Sequence, residues 1–565
     1  MKKSKLLSGT FWMMFGSILS RVLGVIYLIP WLMMMGSPAR QNAAQAIFNS
    51  AYNIYALFLS LGTAGFPTAI ARQVAAYNGE NKFKNSMRVL KAALLFMFCT
   101  GITCAVLLYF SAPYIARHSA VVSSEVATKA IRVMVPTLVI LPPMSLMRGF
   151  FQGNTDMKPY GVSQLWEQFV RIIFILASTY YIIRVIGGSY IKAVNYSTFA
   201  TFVGAIASSI YLIYCYMKKR PEYRELTAKS LPADNNDIKG IFIGIIREAI
   251  PFIYVGSAVT IFQFIDQMTF KDIVVRLTGL SSLAAQTLYT YFSADPNKIT
   301  TVVVALTIAI SESSLPLLAK QSKAGDKKGV SNIIVQNIEL LMVTLLPAAF
   351  LLAILSWEVN GVFYPFSKLG ADLMAVALIG SIALGLFTDF FTVIQSLKKH
   401  RLAVRMLTLG IILKLVLQVP MTYLWGAYGT IWATTIAFGA IAALAFSHIY
   451  RHYLSKHQLS FAHKIIWVNL VLGGLGWLAH WAIGKVYVPM GKISAFIYAA
   501  VFGLIFLLVY VLILNKMGAL KRVFGFRLPG VSGPKKPVKA GHQDNGHAIN
   551  NPKQRGHKSR YKHFK

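Results

Sequence analysis

The chain has 565 residues, of which 56% are hydrophobic and 13% charged, with a mean hydropathy of +0.57, and this composition excludes a water-soluble multidomain enzyme. The formal net charge of +37 would suggest a nucleic-acid binder in a soluble protein. Here the last fifty residues hold thirteen Lys/Arg against one acid, Asp544, and the other bases cluster in short loops between apolar runs, where topology and anionic headgroups account for them. No nucleic-acid partner is expected, and the three cysteines Cys99, Cys104 and Cys215 exclude a disulfide scaffold and a four-thiolate metal cluster.

Apolar runs bounded by charge or by Gly/Pro/Asn clusters predict fourteen membrane spans in an all-α polytopic protein. Spans 1 to 6 are Leu6–Met35, Ala46–Ala71, Val89–Ala112, Ala130–Met147, Gln164–Ile186 and Tyr196–Met217. Spans 7 to 12 are Ile241–Ile265, Ile299–Ala319, Ile333–Trp357, Leu373–Leu397, Leu402–Trp425 and Gly429–Ile449, and spans 13 and 14 are Ile465–Gly484 and Ile493–Leu514. The first run continues through Arg21 without a small-residue cleavage site, so it is expected to stay as a helix. With the amino terminus cytoplasmic, the inner segments and their flanks hold 42 of the 56 Lys/Arg and the outer ones 12, so both termini are expected to be cytoplasmic.

A repeat relates the two sets of six spans. Gly65-Phe66-Pro67 followed by Arg72 matches Ser314-Leu315-Pro316 followed by Lys320, an offset of 249, while Gln152 and Arg171 match Gln395 and Lys414 at an offset of 243. Units of six helices begin on the same side, so they form two lobes related by an axis along the membrane normal. The expected organisation is a lobe over 1–217, a cytoplasmic linker over 218–240, a second lobe over 241–450, two further helices over 451–515 and a basic, disordered cytoplasmic tail over 516–565. Two lobes facing a central cavity suit an alternating-access transporter. The Walker phosphate-binding loop is missing, so energy must come from a gradient or a partner.

Charges inside spans cost roughly 2.5 to 3.5 kcal/mol each and need a partner or a water-filled cavity. Arg21 is too deep to snorkel easily and reads as an anion ligand in preference to a structural pair with an acid on another helix. Glu167 and Arg171 are spaced for an intrahelical pair at the inner mouth of span 5. Lys414 occupies the repeat position of Arg171 but has Gly410 where an acid would sit, so it reads as an unpaired second cavity cation. Asp266, Glu312, Glu339 and Asp389 are the deep acids; each could neutralise a base, and Glu312 and Asp389 are kept as candidate sites for a coupling ion, H+ or Na+. Pro142-Pro143 should bend span 4. No metal site or organic cofactor is expected.

Ser20-Arg21-Val22-Leu23-Gly24, Gly65-Phe66-Pro67, and above all Arg148-Gly149-x-x-Gln152-Gly153 with Ser163-Gln164-x-x-Glu167-Gln168-x-x-Arg171 resemble the polysaccharide transporter branch of the multidrug/oligosaccharidyl-lipid/polysaccharide superfamily. The likeness runs to its stage V sporulation protein B and YtgP group, related to MurJ-type lipid II flippases, and covers roughly Met1 to Arg451. The resemblance implies a MATE-like fold and a flippase, not an enzyme, in a bacterial cytoplasmic membrane. Its cargo would be an undecaprenyl-pyrophosphate-linked saccharide such as the peptidoglycan precursor lipid II, with membrane lipids and cell-wall synthesis proteins as partners. Arg21 matches a cavity arginine of the MurJ-type proteins, Tyr27 stands where they carry a second, and their span 8 arginine falls near Asn297, beside Lys298. Substrate contact is therefore expected at Arg21, Lys414, Lys298, Arg148 and Arg171, supported by Ser20, Gly24, Gln152, Glu167 and Gln168. The alternatives are a MATE-like multidrug exporter, which would favour acids in its cavity, and a membrane glycosyltransferase or polymerase, which would need catalytic acids in an outer segment such as Gln267–Pro296.

Overall fold

The computed structural model describes residues 16, 19–63, 65–232, 250, 251 and 253–524; the start of span 1, part of the linker and the tail beyond 524 lie outside the described residues. The described part is helical, without strands. It divides into two compact units, Met1–Leu507 and Leu508–Lys565, and everything below concerns the first except where stated. Among the described residues eleven helices are long and apolar enough to cross a bilayer. One of them, His400–Tyr453, is a merged hairpin, and the shorter apolar Leu19–Met35 and the helix Ala258–Thr278 stand at spans 1 and 7, an inventory consistent with fourteen spans.

In the amino-terminal lobe span 1 is α1 (Leu19–Met35). Span 2 is two helices, α2 (Pro38–Thr63) and α3 (Phe66–Gly79). Gly65 separates them with φ 80°, a left-handed conformation that glycine adopts without a Cβ penalty, and Pro67 in the first turn of α3 has no N–H to leave unbonded. Span 3 is α4 (Phe83–His118). Span 4 is α5 (Ser124–Val133) and α6 (Val135–Gly153), divided at Met134, while the helix runs on through Pro142 and Pro143, so the interruption lies ahead of the proline pair. Span 5 is α7 (Lys158–Tyr180) with a π-helical end over Tyr181–Val185, and span 6 is α8 (Tyr190–Lys218). The motif glycines have a packing reason: a side chain at Gly149 would strike the backbone of Pro67 and one at Gly153 the carbonyl of Ala71, so α6 lies directly on α3.

The expected linker is partly structured. A helix α9 (Arg220–Ala228) inserts Tyr223 among Phe66, Tyr77, Phe83 and Phe150 of the lobe core, and Leu231 N donates to Asn81 O at 3.0 Å. The start of the linker therefore belongs to the amino-terminal lobe.

The carboxy-terminal lobe departs further from expectation. Span 7 continues as α10 (Ala258–Thr278), and α11 (Ser282–Tyr289), a π segment over Thr290–Ala294 and α12 (Asp295–Lys323) form one continuous rod. The supposed outer segment Gln267–Pro296 is thus helical apart from the turn at Gly279–Ser281. Spans 9 and 10 are α13 (Lys327–Ile354), followed by a short α14 (Ser356–Phe363), and α15 (Lys368–Ser396). Spans 11 and 12 form α16 (His400–Tyr453), which reverses at Gly426 with φ 54° and ψ −130°. Lys414 and Thr434 would stand about 30 Å apart on a straight helix, yet they are hydrogen-bonded at 2.7 Å. At the reversal Gly429 lies so close to the Met421 carbonyl that a Cβ has no room. Spans 13 and 14 are α17 (Ser460–Gly484) and α18 (Lys492–Lys516); the second unit carries the end of α18 and a short α19 (Ala519–Phe524).

The repeat is visible in the turns. Thr155, three residues after Gln152, and Lys398, three after Gln395, have φ of 60° and 58°, and both donate to those glutamines' carbonyls. Asn81 and Gly325 play equivalent parts, closing turns in which Lys82 N reaches Tyr77 O and Asp326 N reaches Gln321 O. These pairs lie at offsets of 243 and 244, so the offset of 249 read between Pro67 and Pro316 is out of register. The break at Gly65 has no partner either, since α12 continues through position 316.

Candidate functional site

The site grows from the contact of α1 with α7. Gly16 faces the backbone of Gly161, with 2.7 Å between a hypothetical Cβ and its carbonyl, and Gly24 faces the Gln168 amide at 3.3 Å. This close approach holds Arg21 near the cavity-facing residues of α7. Among the described residues no hydrogen bond or ion pair engages Arg21; it lies within electrostatic reach of Glu312 on α12, Tyr160 on α7 and Tyr52 on α2. Glu312 keeps its side chain exposed at the protein surface although it lies within a span. Arg21 and Glu312 therefore face one another from different lobes.

Glu167 binds two arginines: Arg171 Nη2 at 2.6 Å within α7 and Arg148 Nη2 at 2.8 Å from α6. The intrahelical pair is as expected, and the second arginine is an addition. Arg148 also donates to Ser163 Oγ and Ser208 Oγ, both at 2.9 Å, and so knits α6, α7 and α8 together. Arg171 retains an unbonded Nε. Gln168 is buried against Gly24, Gln152 lies at the turn closing α6, and Ser20 makes no side-chain hydrogen bond among the described residues.

Lys298 crosses to the other lobe. Its Nζ stands 5.3 Å from the Phe48 ring centre and 5.2 Å from that of Tyr52, on α2, and within electrostatic reach of Arg171. Lys414, by contrast, is not the unpaired base expected. Asp266 of α10 meets it at 2.6 Å, its side chain is 0% exposed, and it also donates to Thr430 O and Thr434 Oγ1. The missing acid at position 410 is supplied from another span. Asp389 is buried on α15, where Ser311 donates to it at 2.7 Å and its other oxygen has no hydrogen-bond partner among the described residues. No grouping of three or more His, Cys, Asp or Glu able to hold a metal occurs among the described residues.

Sequence reasoning missed the junction between lobes. Asn42 donates to Tyr291 Oη at 3.3 Å, Gln45 to Asp295 Oδ1 at 3.1 Å, Asn49 to Ser293 Oγ at 3.1 Å and Asn53 to Tyr289 Oη at 3.2 Å. Gln267 of α10 donates to Ser50 and Ser119, and His118 Nδ1 pairs with Asp272 at 2.5 Å. Nearly all these contacts lie toward the Gly36 and Gly279 end of the spans. The signal was the run of amides on α2, spaced three to four residues apart, which a lipid-facing helix would not carry.

The arrangement is a cluster of cationic side chains where two helical lobes meet, the lobes being joined by a polar junction at one end and again further along α2, where Ser60 Oγ and Ser257 Oγ are 2.8 Å apart. Residues 6–322 match the family model described as polysaccharide biosynthesis protein, more than half of the chain. The chain belongs to that family. It is 31% identical over 544 residues to the lipid II flippase MurJ of Bacillus subtilis (strain 168), covering 93% of this chain and 98% of the relative. It is also 23% identical over 327 residues to stage V sporulation protein B of the same organism, covering 57% of this chain and 59% of the relative. Among solved structures, a multidrug resistance MATE family transporter of the MOP superfamily in an inward-facing conformation aligns with a TM-score of 0.57 at 14% identity, covering 76% of this chain and 97% of the other, a likeness of fold alone. A MOP superfamily transporter from Pyrococcus furiosus described as having a binding pocket of reversed polarity aligns with a TM-score of 0.55 at 14% identity, covering 78% of this chain and 94% of the other. This member of the polysaccharide biosynthesis family is a multi-pass membrane transporter with the MATE-like fold, not an enzyme.

Proposed function

We propose that this chain flips an undecaprenyl-pyrophosphate-linked saccharide, foremost the peptidoglycan precursor lipid II, across a bacterial cytoplasmic membrane with both termini in the cytoplasm. The observation that carries the reading is the charge of this cluster. Arg148 and Arg171 share Glu167, Arg21 lies within electrostatic reach of Glu312, and Lys298 lies within reach of Arg171 with no acid beside it, so four neighbouring bases stand against two acids and the balance is +2. A pyrophosphate diester bears about two negative charges and cannot enter hydrocarbon unpaired; guanidinium groups offer it charge-assisted, bidentate hydrogen bonds. The prenyl chain stays in lipid. Arg21 and Lys298, free of acids within bonding distance among the described residues, are the headgroup ligands, with Arg171 beside them. Arg148 is a brace, and Lys414 is left out because Asp266 already neutralises it.

The basic-loop alternation puts the Gly36 end outside. The densest lobe–lobe contacts then lie outward, with Ser60–Ser257 as a further link toward the cytoplasm, the arrangement expected of a state that loads cargo from the inner leaflet. Asp389, buried beside Ser311, is the candidate ion-coupling residue of the carboxy-terminal lobe, and proteins that make or consume the cargo are the expected partners.

The test is native mass spectrometry of the purified protein with lipid II and with ethidium, in wild type and Arg21→Ala. Lipid II should bind wild type and be lost with Arg21, and ethidium should not bind. Ethidium retention that persists in Arg21→Ala and disappears in Asp389→Asn, with no lipid II binding, would establish the drug-exporter alternative instead.

A further inference from the structure

The junction between the lobes is a ladder along two rods, α2 and the α11–α12 rod. Tyr291, Ser293 and Asp295 engage Asn42, Asn49 and Gln45, and one turn further toward the cationic cluster Lys298 lies on Phe48 and Tyr52. The first three rungs are hydrogen bonds between side chains that an anion has little reason to take apart. The last is a lysine ammonium resting on the negative faces of two rings, and among the described residues no hydrogen bond or ion pair engages it.

The rings are fixed. Phe48 and Tyr52 lie nearly parallel, 9° apart with centres separated by 6.1 Å. Trp31 packs its ring against Phe48 at 5.7 Å and is itself pinned by a 2.9 Å hydrogen bond from Nε1 to Ser197 Oγ on α8. The lysine is the mobile partner: a flexible stem whose ammonium can exchange a ring face for a phosphate oxygen.

We propose that Phe48 and Tyr52 are positioning residues that hold Lys298 in a cation–π latch across the lobes, and that a pyrophosphate headgroup reaching the cationic cluster releases the latch by taking the ammonium from the rings. The inference rests on the anion-carrying reading above and adds the link from binding to movement. A ligand shifts a conformational equilibrium only through a difference in affinity between the two states. The anion gains that difference because Lys298 is already engaged in the closed state and is free in the open one. Cargo binding thus loosens the end through which cargo must leave, and an empty carrier keeps that end shut.

Ring electronics test this without changing ring size. Phe48 is replaced by mono-, di- and trifluorophenylalanine in the full-length chain, with Tyr52→Phe as the conservative control. Spin labels at Ser124 and Leu283, both exposed and on opposite lobes, report the separation of that end, with Cys99, Cys104 and Cys215 first changed to serine. Each added fluorine should raise the open fraction of the ligand-free protein and tighten undecaprenyl pyrophosphate binding, by about 3-fold over the series, while Tyr52→Phe, which retains a ring face, should behave as wild type. Unchanged separations across the series overturn the latch. Binding that weakens with fluorination also overturns it, because the rings would then be presenting Lys298 to the anion. If fluorination opens the ligand-free protein but wild type binds no pyrophosphate lipid, the latch stands as a structural contact and the anion-carrying reading falls together with the release step.

Discussion

Lys414 of α16 and Asp266 of α10 form a 2.6 Å ion pair, and the lysine side chain is wholly withdrawn from solvent. Removing one partner of a buried pair leaves the other uncompensated, which costs about 3 to 5 kcal/mol. Lys414→Met should therefore lower the unfolding temperature sharply, and Lys414→Met with Asp266→Asn should recover most of the loss. Thermal unfolding in detergent of the two single variants and the double variant measures the coupling. A Lys414→Met protein as stable as wild type would show that the pair is not formed.

Arg21 has the opposite status, with no acid at bonding distance among the described residues. Arg21→Ala should leave the protein inserted and abundant yet fail to support growth of a strain depleted of its own lipid II flippase. Arg21→Lys should restore growth only in part, because a point charge lacks the planar fork of a guanidinium. Full complementation by the alanine variant would return Arg21 to a structural role.

The junction can be locked. Asn49 Nδ2 and Ser293 Oγ are 3.1 Å apart across the lobes, so cysteines at both positions in a background without the native three should be joined by mild oxidation. Transport of a fluorescent lipid-linked saccharide in proteoliposomes should stop on oxidation and resume on reduction. Transport unaffected by complete cross-linking would mean that the lobes do not separate there.

Topology follows from the basic loops. Single cysteines at Asn78 and Lys327 should be shielded from an impermeant thiol reagent in intact cells, and one at Ser367 should react. Labelling of Asn78 from outside would invert the assignment of every loop.

Much of this fold was legible as hydropathy, because a span must be apolar wherever it meets lipid. The reversal between spans 11 and 12 was placed between Trp425 and Gly429, and Gly426 makes it. The segment Gln267–Pro296 was misread because Gln267, Lys271, Asp272 and Asp295 look like loop residues, whereas Gln267, Asp272 and Asp295 form the polar faces of helices that meet the other lobe. Hydropathy does not distinguish a helix buried against a polar partner from a loop in water. The Glu167–Arg171 pair was readable because both residues share one helix. Lys414 was not, because its acid comes from another span, and no spacing rule reaches that far.

Arg21 and Glu312 face one another inside the spans without a hydrogen bond or ion pair between them among the described residues, and charges so placed require water, which has an electrical consequence. Where water penetrates, the insulating layer ends, so the membrane voltage falls across the sealed stretch between Asn42–Tyr291 and Tyr52–Lys298 instead of across the full hydrocarbon thickness of about 30 Å. A unit charge crossing 100 mV exchanges about 2.3 kcal/mol with the field. With that end outward and the cell interior negative, a dianionic headgroup stripped of its cations would collect most of this energy while passing the junction alone. The voltage would then act as a directional force concentrated at the gate, favouring release over return.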